Sequence, residues 1–578
     1  MPVSLYSLLG RGRWAAPVAA CFLLAVGAMR GQVTVVPPGP QIGSSNPITA
    51  QPPVPRPSTT PCVVPLFTGQ EFADFTPKTF DYTPPADCKG PWSKVVFTAD
   101  FTVTEGRQFD RTAAFYLGHA SIYYGTTAEP RAALSPSWHV ERDVTDLSAI
   151  FKSAQTGEAN IGNFVGVSGG VTYNGIIYAN AALEFYPSNF RNPAPRVPDM
   201  VIPVNGTGGD AGTLNTTADQ ITQTLNLPQN VERAYLDVIA QNQSSDEFWY
   251  FCVPNDQTSN LESCGGTAFR ETEVWMDGQP AGVAPAYPWI FTGGIDPYLW
   301  EPVPSVQTLD FVPFRVDLTP FAGTLDDGGT HTVAVSVFNA NSYFLATANL
   351  LVYTDHGAAK VTGGLTSNTL SAAPTPSVME NITAGAGSTY TGSIDTSAAR
   401  TYAIRGWVNT SHGRVETTVK GNVSFSNNQQ FDVSPTTDIQ NVEQITTMDA
   451  SSVTKEGWLT TEREQHFRYP LTVDFSYVVN ADKSQDQTTT VHQGYDVHET
   501  TQLNGWPVYD SKLHNEVHAT DTLPFDASGN FQGPMGSRTS QTYTWKNSLG
   551  GCYSRTIVAE AQKLTRVDDG DGCERGHR

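Results

Sequence analysis

Six stretches of this chain alternate apolar and polar residues with a period of two, and no stretch sustains the 3.6-residue period of a long helix. They are Val95–Thr104, Thr112–Leu117, Tyr178–Tyr186, Arg233–Ile239, Val333–Phe338 and Leu471–Val479. A period of two puts one face of an extended segment on a core and the other in water, so these stretches read as strands. Asp277-Gly278 follows the apolar run Glu273–Met276 and precedes another apolar segment, a hairpin signal, and Asp327-Gly328 is similar. The exception is Asp146–Ser153, one or two helical turns opened by an acidic residue able to cap them. Many short strands with Gly, Asn and Pro turns predict an all-β chain built of sandwiches or jelly rolls. No internal sequence repeat is visible.

The first 28 residues read as a signal peptide. Arg11 and Arg13 precede the apolar run Ala15–Ala28, which ends in the small residues Val26-Gly27-Ala28. That run is too short for a stable membrane helix, and no later stretch is long and apolar enough to span. Met29 to Pro61 carries nine prolines among Gly, Ser and Thr. We therefore assign residues 29–60 to a disordered, polyproline-like leader. Asn189–Pro198 (NFRNPAPRVP) and the Gly-, Ala-, Ser- and Thr-rich Tyr353–Pro376 read as boundaries. They leave β regions over 61–190, 199–355 and 377–578.

Charge and cysteines narrow the function classes. The formal net charge is −22, and −24 once the signal peptide with Arg11 and Arg13 is removed. Such a chain repels phosphate backbones and anionic lipid, which argues against nucleic acid and membrane surfaces as partners. Cys21 leaves with the signal, and six cysteines remain in three sequence-local couples. In an exported chain these predict the disulfides Cys62–Cys88, Cys252–Cys264 and Cys552–Cys573. Glycan acceptor sequons occur at Asn205, Asn215, Asn242, Asn381, Asn409 and Asn422. The expected localisation is secreted, or extracellular.

Several motifs invite chemistry, and most have plain alternatives. Gly166-Val167-Ser168-Gly169-Gly170 satisfies G-x-S-x-G, but a strand-like segment follows it where a nucleophile elbow needs a helix, so it reads as a turn. The histidines show no metal-ligand spacing: His492 and His498 with Glu499 lie on a polar segment. Asp568-Asp569-Gly570-Asp571-Gly572 lacks the glutamate that would close a calcium loop. No metal site is therefore expected.

Two segments remain. In Gly106–Arg111 (GRQFDR) the carboxylate of Asp110 stands at a strand mouth beside Arg111. That pair is either an ordinary ion pair or a base held ionised by a cation that can polarise a carbonyl. In Ser245–Phe251 (SDEFWYF) two carboxylates abut aromatics directly before Cys252. Apolar neighbours raise a carboxyl pKa toward that of a useful acid, and tryptophan faces suit sugar rings. The alternative is a strand with Phe248 and Tyr250 in the core.

With these residues in view, the chain resembles the plant and fungal peptide N-glycosidase A family. The matching segments are Gly106–Gly118, Thr126–Pro130 (TTAEP), Trp138–Leu147, Asp246–Tyr250, Phe269–Glu271 and Ile290–Trp300. Phe109-Asp110-Arg111, Leu227–Leu236 and Phe269-Arg270 are more distantly similar to bacterial peptide N-glycosidase F. The resemblance implies two adjacent antiparallel jelly rolls with the active site at their junction, plus an additional C-terminal β region. It implies hydrolysis of the amide between an N-glycan and asparagine, on N-glycosylated peptides and proteins, with no metal or organic cofactor.

Asp110 and Arg111 match the family's principal carboxylate and its adjacent arginine. One further glutamate of the bacterial enzyme falls near Asn163, which is not acidic. The other corresponds to Glu247 or Glu262, and we prefer Glu247, with Glu271 a third possibility. Trp249 is expected as a stacking platform, with Asp246, Asn163, Arg270 and Glu271 on the substrate side. Two carboxylates also serve glycoside hydrolases, and jelly rolls also serve non-catalytic glycan-binding proteins, so both remain as rival readings.

Overall fold

The computed structural model describes residues 40–570 and Cys573. The proposed signal peptide, the first part of the leader and residues Asp571-Gly572 lie outside the described residues.

Two sandwiches follow one another with the same order of eight strands, the second adding a short ninth, Gly212–Leu214, on Tyr343–Thr354. In the first, Cys62–Phe72, Ile177–Pro187, Trp92–Val103 and Ser137–Asp143 form one sheet. Lys78–Tyr82, Gln155–Ile161, Thr112–Leu117 and Ala120–Thr126 form the other. Numbering the eight strands along the chain, the sheets read 1-8-3-6 and 2-7-4-5, a jelly roll. The second sandwich repeats this order. Met200–Val204, Tyr343–Thr354, Val231–Gln243 and Phe314–Asp317 face Ile221–Leu225, His331–Phe338, Glu271–Met276 and Gln279–Pro285. All ladders are antiparallel. The repetition is topological, carried by strand spacing alone, which is why the sequence shows no repeat.

The third region is a single 11-stranded antiparallel sheet. Its central strands run about 20 residues, for example Gly413–Ser434 and Leu459–Val479. At about 3.3 Å per residue they are about 70 Å long. The sheet begins with Thr362–Asn368, inside the stretch read as a boundary: few large apolar residues are needed because its ladder partner, Tyr390–Thr410, lines one side. One apolar cluster runs without a break from the second sandwich (Val335, Leu350) through Trp249 to the third sheet (Phe425, Val473, Val517). The first sandwich has its own core around Phe97, Phe115 and Phe185.

The leader departs from its expected disorder. From Pro40 on it lies as an extended strap with satisfied donors: Ile48 N–H to the Pro302 carbonyl, Ala50 N–H to Gln541 Oε1 and Val54 N–H to Glu141 Oε2. Arg56 pairs with Glu141 and Glu184, and Ala50 is fully buried. A proline-rich segment lacks donors to form a sheet, but side chains of a folded body can take the few it has.

The three disulfides are Cys62–Cys88, Cys252–Cys264 and Cys552–Cys573. Asp277-Gly278 turns a hairpin between Met276 and Gln279, both residues at positive φ. Asp327-Gly328 instead follows the short helix Ala322–Leu325. Asp146–Ser153 splits into two 3-10 turns, Thr145–Leu147 and Ile150–Lys152.

Candidate active site

Four segments from the two sandwiches meet where Asp110 lies. Asp110 precedes Thr112–Leu117, and Glu129 follows Ala120–Thr126, the strand paired to it. Both belong to the first sandwich. Glu247 follows Val231–Gln243, and Gly293 lies in the long loop after Gln279–Pro285, both in the second. The sandwiches are locked together beside this point. Ser121 and Asn349 exchange two hydrogen bonds, Thr126 N–H donates to the Thr308 carbonyl, and Phe311 N–H to that of Tyr124.

The loop that carries Asp110 is rigid for local reasons. Gly106 has φ +139°, and a Cβ there would lie 2.6 Å from Asn174 Oδ1. Asn174 accepts from Arg107 N–H, and Gln108 Nε2 donates to the Ala128 carbonyl. Fully buried Asn163 donates to the Phe72 and Gly175 carbonyls and accepts from Phe164 N–H. It braces the segment under the loop and has no group left for a substrate, which corrects its expected role.

Asp110 Oδ2 accepts from Gly293 N–H at 2.7 Å, and the N–H of Asp110 donates to Glu129 Oε2 at 3.1 Å. Burial raises the Asp110 carboxyl pKa, opposed by the Gly293 amide and the Arg111 charge. Glu129 rises to about 7 through burial and the neighbouring Asp110 charge. Glu247 rises to about 8, through burial and then the charges of Asp110 and Glu129. The charge of Asp110 acts on both glutamates and that of Glu129 on Glu247, so three half-buried carboxyls lie close together. Like charges so placed do not all ionise together, so at mildly acidic pH the cluster holds protons on its glutamates and the charge on Asp110, which accepts from the Gly293 amide and lies beside Arg111.

Arg111 lies beside them, 6% exposed. Burial lowers its pKa to about 10. Its guanidinium lies 4.0 Å over the Phe109 ring, and Nη1 donates to Gln108 Oε1 and the Phe109 carbonyl. Nε and Nη2 have no protein acceptor. Two donors of one cation, buried and unused, are suited to an incoming oxygen.

Glu247 reaches this cluster from the 3-10 turn that follows Val231–Gln243. Ser244–Phe251 is two 3-10 turns joined across a kink at Phe248, and Asp246 and Trp249, one on each side of it, are both buried. That pair faces inward. Trp249 is fully buried against Phe425, which corrects its expected role as a stacking platform. Asp246 accepts from Arg270 Nε and Nη2 and from the N–H groups of Asn341 and Ser342, while Arg270 Nη1 donates to the Thr267 and Phe269 carbonyls. This buried pair is saturated, so neither residue has a group to offer substrate. Glu271 pairs with Arg400 of the third sheet at 2.6 Å, and Glu262 faces Asp438. Among the candidates for a supporting acid, Glu247 is the one raised by the Asp110 charge. Glu129 was missed: it lies in TTAEP, and only its place after a strand paired to that of Asp110 marks it.

Two sequons also change meaning. Asn242 is fully buried, its amide donating to the carbonyls of Glu247 (2.7 Å) and Trp289 (3.2 Å). It ties two site loops together and is closed to glycosylation. Asn205 commits its amide to the His119 and Gly209 carbonyls. Asn215, Asn381, Asn409 and Asn422 are exposed.

Other features carry less. Gly166–Ser168 and Val171–Tyr173 form a hairpin around an exposed turn. His492, Glu516 and His518 lie close enough to share an ion, but the two imidazoles stack at 4.0 Å and 8°. Parallel rings direct their nitrogen lone pairs side by side instead of toward one point. Among the described residues no helix is long and apolar enough to cross a membrane.

Gly293 is the position where backbone and carboxylates crowd most closely. A Cβ there would stand 2.1 Å from Glu129 Oε2 and 3.1 Å from Asp110 Oδ2. Gly293→Ala is expected to push these carboxylates apart and lower turnover about a hundredfold, the usual cost of misplacing reacting groups by about 1 Å. Steady-state kinetics on a glycopeptide checks this.

Comparisons with known proteins agree with this geometry. The profile of the family "peptide N-acetyl-beta-D-glucosaminyl asparaginase amidase A" matches residues 52–371, and that of the PNGase A C-terminal domain matches 393–471. The peptide-N4-(N-acetyl-beta-glucosaminyl)asparagine amidase A of Prunus dulcis is 30% identical over 397 residues, 65% of this chain and 67% of the relative. Solved structures are less similar. PNGF-II is 14% identical with a TM-score of 0.37, covering 51% of this chain and 66% of that one. PNGase F, a glycosylasparaginase from Flavobacterium meningosepticum, is 13% identical with a TM-score of 0.33, covering 51% and 96%. The strand order above, not these likenesses, establishes the jelly rolls. With its profiles spanning both sandwiches and part of the third sheet, and with a relative matched over two thirds of its length, the chain belongs to the peptide N-acetyl-β-D-glucosaminyl asparaginase amidase A family.

Proposed function

We propose that this protein is a secreted amidase that hydrolyses the bond between an N-glycan and asparagine in glycopeptides and glycoproteins, releasing a glycosylamine and leaving aspartate. The observation that carries the reading is the cluster of Asp110, Glu129 and Glu247 at the junction of the two sandwiches, with Arg111, two of whose donors are unpartnered, beside Asp110 and Glu129. Amide hydrolysis needs a base for water, a donor for the carbonyl oxygen and an acid for the leaving nitrogen. Asp110 has the best-stabilised negative charge and serves as base. Arg111 Nε and Nη2 receive the carbonyl oxygen as it gains charge. Glu247, protonated below about pH 8, gives its proton to the nitrogen. Glu129 fixes the Asp110 backbone and keeps the cluster's charge low by holding a proton below about pH 7. The sequence's export signal and disulfides support secretion, and Asn215, Asn381, Asn409 and Asn422 are the positions open to glycans.

The test is incubation of the purified protein and a chelator with an N-glycosylated peptide. Intact glycan and a peptide with aspartate at the acceptor site are expected. A peptide still bearing one N-acetylglucosamine would mark a glycoside hydrolase, and retained sugar with no product a binding protein.

A further inference from the structure

The third sheet meets the second sandwich with an unusual set of side chains. Sheets usually pack through apolar residues, because a buried amide is costly unless bonded. Here Asn427, Gln429, Gln440, Gln444, Gln493 and Gln541 all point inward and are buried. Their partners lie mostly in two loops, and both loops belong to the candidate active site.

The first is the 3-10 segment Ser244–Phe251, which carries Glu247. The carbonyls at a helix end have no helical partners. Those of Tyr250, Phe251 and Cys252 accept from Asn427 Nδ2 (2.9 Å), Gln440 Nε2 (3.0 Å) and Gln429 Nε2 (3.1 Å). The amides also bond to one another, Gln429 to Asn427 at 2.9 Å and Gln440 to Gln429 at 2.8 Å. The helix end thus sits in a preformed amide row.

The second is the loop 287–306, whose Gly293 N–H binds Asp110. Gln493 spans it, donating to the Pro288 carbonyl at 2.7 Å and accepting from Val306 N–H at 2.8 Å. Thr539 Oγ1 donates to the Leu299 carbonyl, and Tyr287 hydroxyl to that of Gly494. Three residues from Gly293, Asp296 meets Asp521 of the third sheet. Both oxygens of Asp521 and Oδ2 of Asp296 are buried and have no donor from another residue. Two buried carboxyls facing each other are stable only when they share a proton.

We propose that the third sheet is a working part of the active site, holding the Glu247 loop through its amide row and the Gly293 loop through Gln493 and the positioning residue Asp521. This rests on the reading of the site given above. The sheet touches no reacting atom; it fixes the main chain of the two loops that bring the acid and the base's hydrogen-bond donor together. The charged group facing Asp296 from the first sandwich is Arg131, itself paired to Glu301 at 2.9 Å. On Asp521 the only charged neighbour acting is Asp296, which together with burial raises its pKa to about 8. Loss of the shared proton at high pH sets the carboxylates against each other and loosens the Gly293 loop.

Full-length wild type, Asp521→Leu, Asp521→Asn and Gln429→Met, assayed on one glycopeptide across pH and melted in parallel, test this. Asp521→Leu and Gln429→Met are expected to lower kcat per folded molecule ten- to a hundredfold, with KM within about threefold, since misplaced groups cost turnover first. Asp521→Asn, whose amide still donates to Asp296, is expected to restore kcat to within about threefold of wild type and to make the alkaline limb shallower, because one titrating pair is gone. If the Leu and Met variants melt earlier yet keep wild-type kcat, or if Asn leaves both kcat low and the limb unchanged, the sheet is only structural and the proposal fails. A variant that does not fold leaves the decision to the other two. An inactive wild type would instead overturn the amidase reading.

Discussion

Asp110→Asn is expected to leave the protein folded and to lower kcat by about two to four orders of magnitude, the usual effect of losing a general base. Asparagine keeps the size and still accepts from Gly293 N–H, so the 2.7 Å contact survives. What disappears is the proton acceptor and one of the cluster's negative charges. That second loss has its own signature. The charge of Asp110 helps raise both Glu129 and Glu247, so in the variant both glutamates titrate lower. Stability near neutral pH then rises slightly or holds, while turnover collapses. An ordinary ion pair between Asp110 and Arg111 would give the opposite result, a lower melting temperature with turnover intact. Melting and kcat measured on the same preparation separate the two.

Glu247→Gln is expected to lower kcat by a similar factor and to remove the main part of the alkaline limb of the rate profile. Glutamine matches the shape of glutamic acid but has no proton to give. In the wild type Glu247 is an acid only below about pH 8, and Glu129 holds its proton below about 7, so activity falls as pH rises through this range. Stability follows the same direction. Both groups have folded pKa values above the ordinary carboxyl value of about 4.3. Their contribution is therefore fully present below that value and is lost as pH rises through 7 to 8. Melting temperature against pH should decline across this window in the wild type and decline less in Glu247→Gln. A wild-type optimum above pH 9, or a Glu247→Gln enzyme with full turnover, contradicts the assignment of the acid.

Much of the fold is legible in the chain because a half-buried strand writes its burial into alternate residues. The stretch Thr112–Leu117 coincides with a strand, and Val95–Thr104 differs from Trp92–Val103 by a few residues at the ends. The site is less legible. Asp110 stands out by lying in the segment with the family resemblance, since an acid beside an arginine alone reads equally well as an ordinary ion pair. Glu129 looks ordinary in sequence, since its importance comes only from the pairing that brings it to the Asp110 backbone. Asp246, Trp249 and Arg270 carry the residue types expected of a sugar site, yet packing of Trp249 on Phe425 and the buried Asp246–Arg270 ion pair turn them inward. Asn242 satisfies a glycosylation sequon and is instead a buried crosslink between two site loops. In the third sheet period-two reasoning works only in part, because Asn427, Gln429, Gln440, Gln444 and Gln493 are buried among apolar residues such as Phe425 and Val473.

These residues explain why the three β regions act together. Asp110 and Glu129 come from the first sandwich, Glu247 and Gly293 from the second, and the loops of the second rest on the third sheet. The central claim is that this junction cleaves an amide by adding water to the asparagine carbonyl. Hydrolysis of a glycopeptide in water enriched in heavy oxygen, followed by mass measurement of peptide and glycan, tests it most directly. The account predicts one heavy oxygen in the new aspartate side chain and none in the freshly released glycosylamine. Heavy oxygen on the sugar's anomeric carbon, with the peptide's asparagine unchanged or still carrying a sugar, would contradict it.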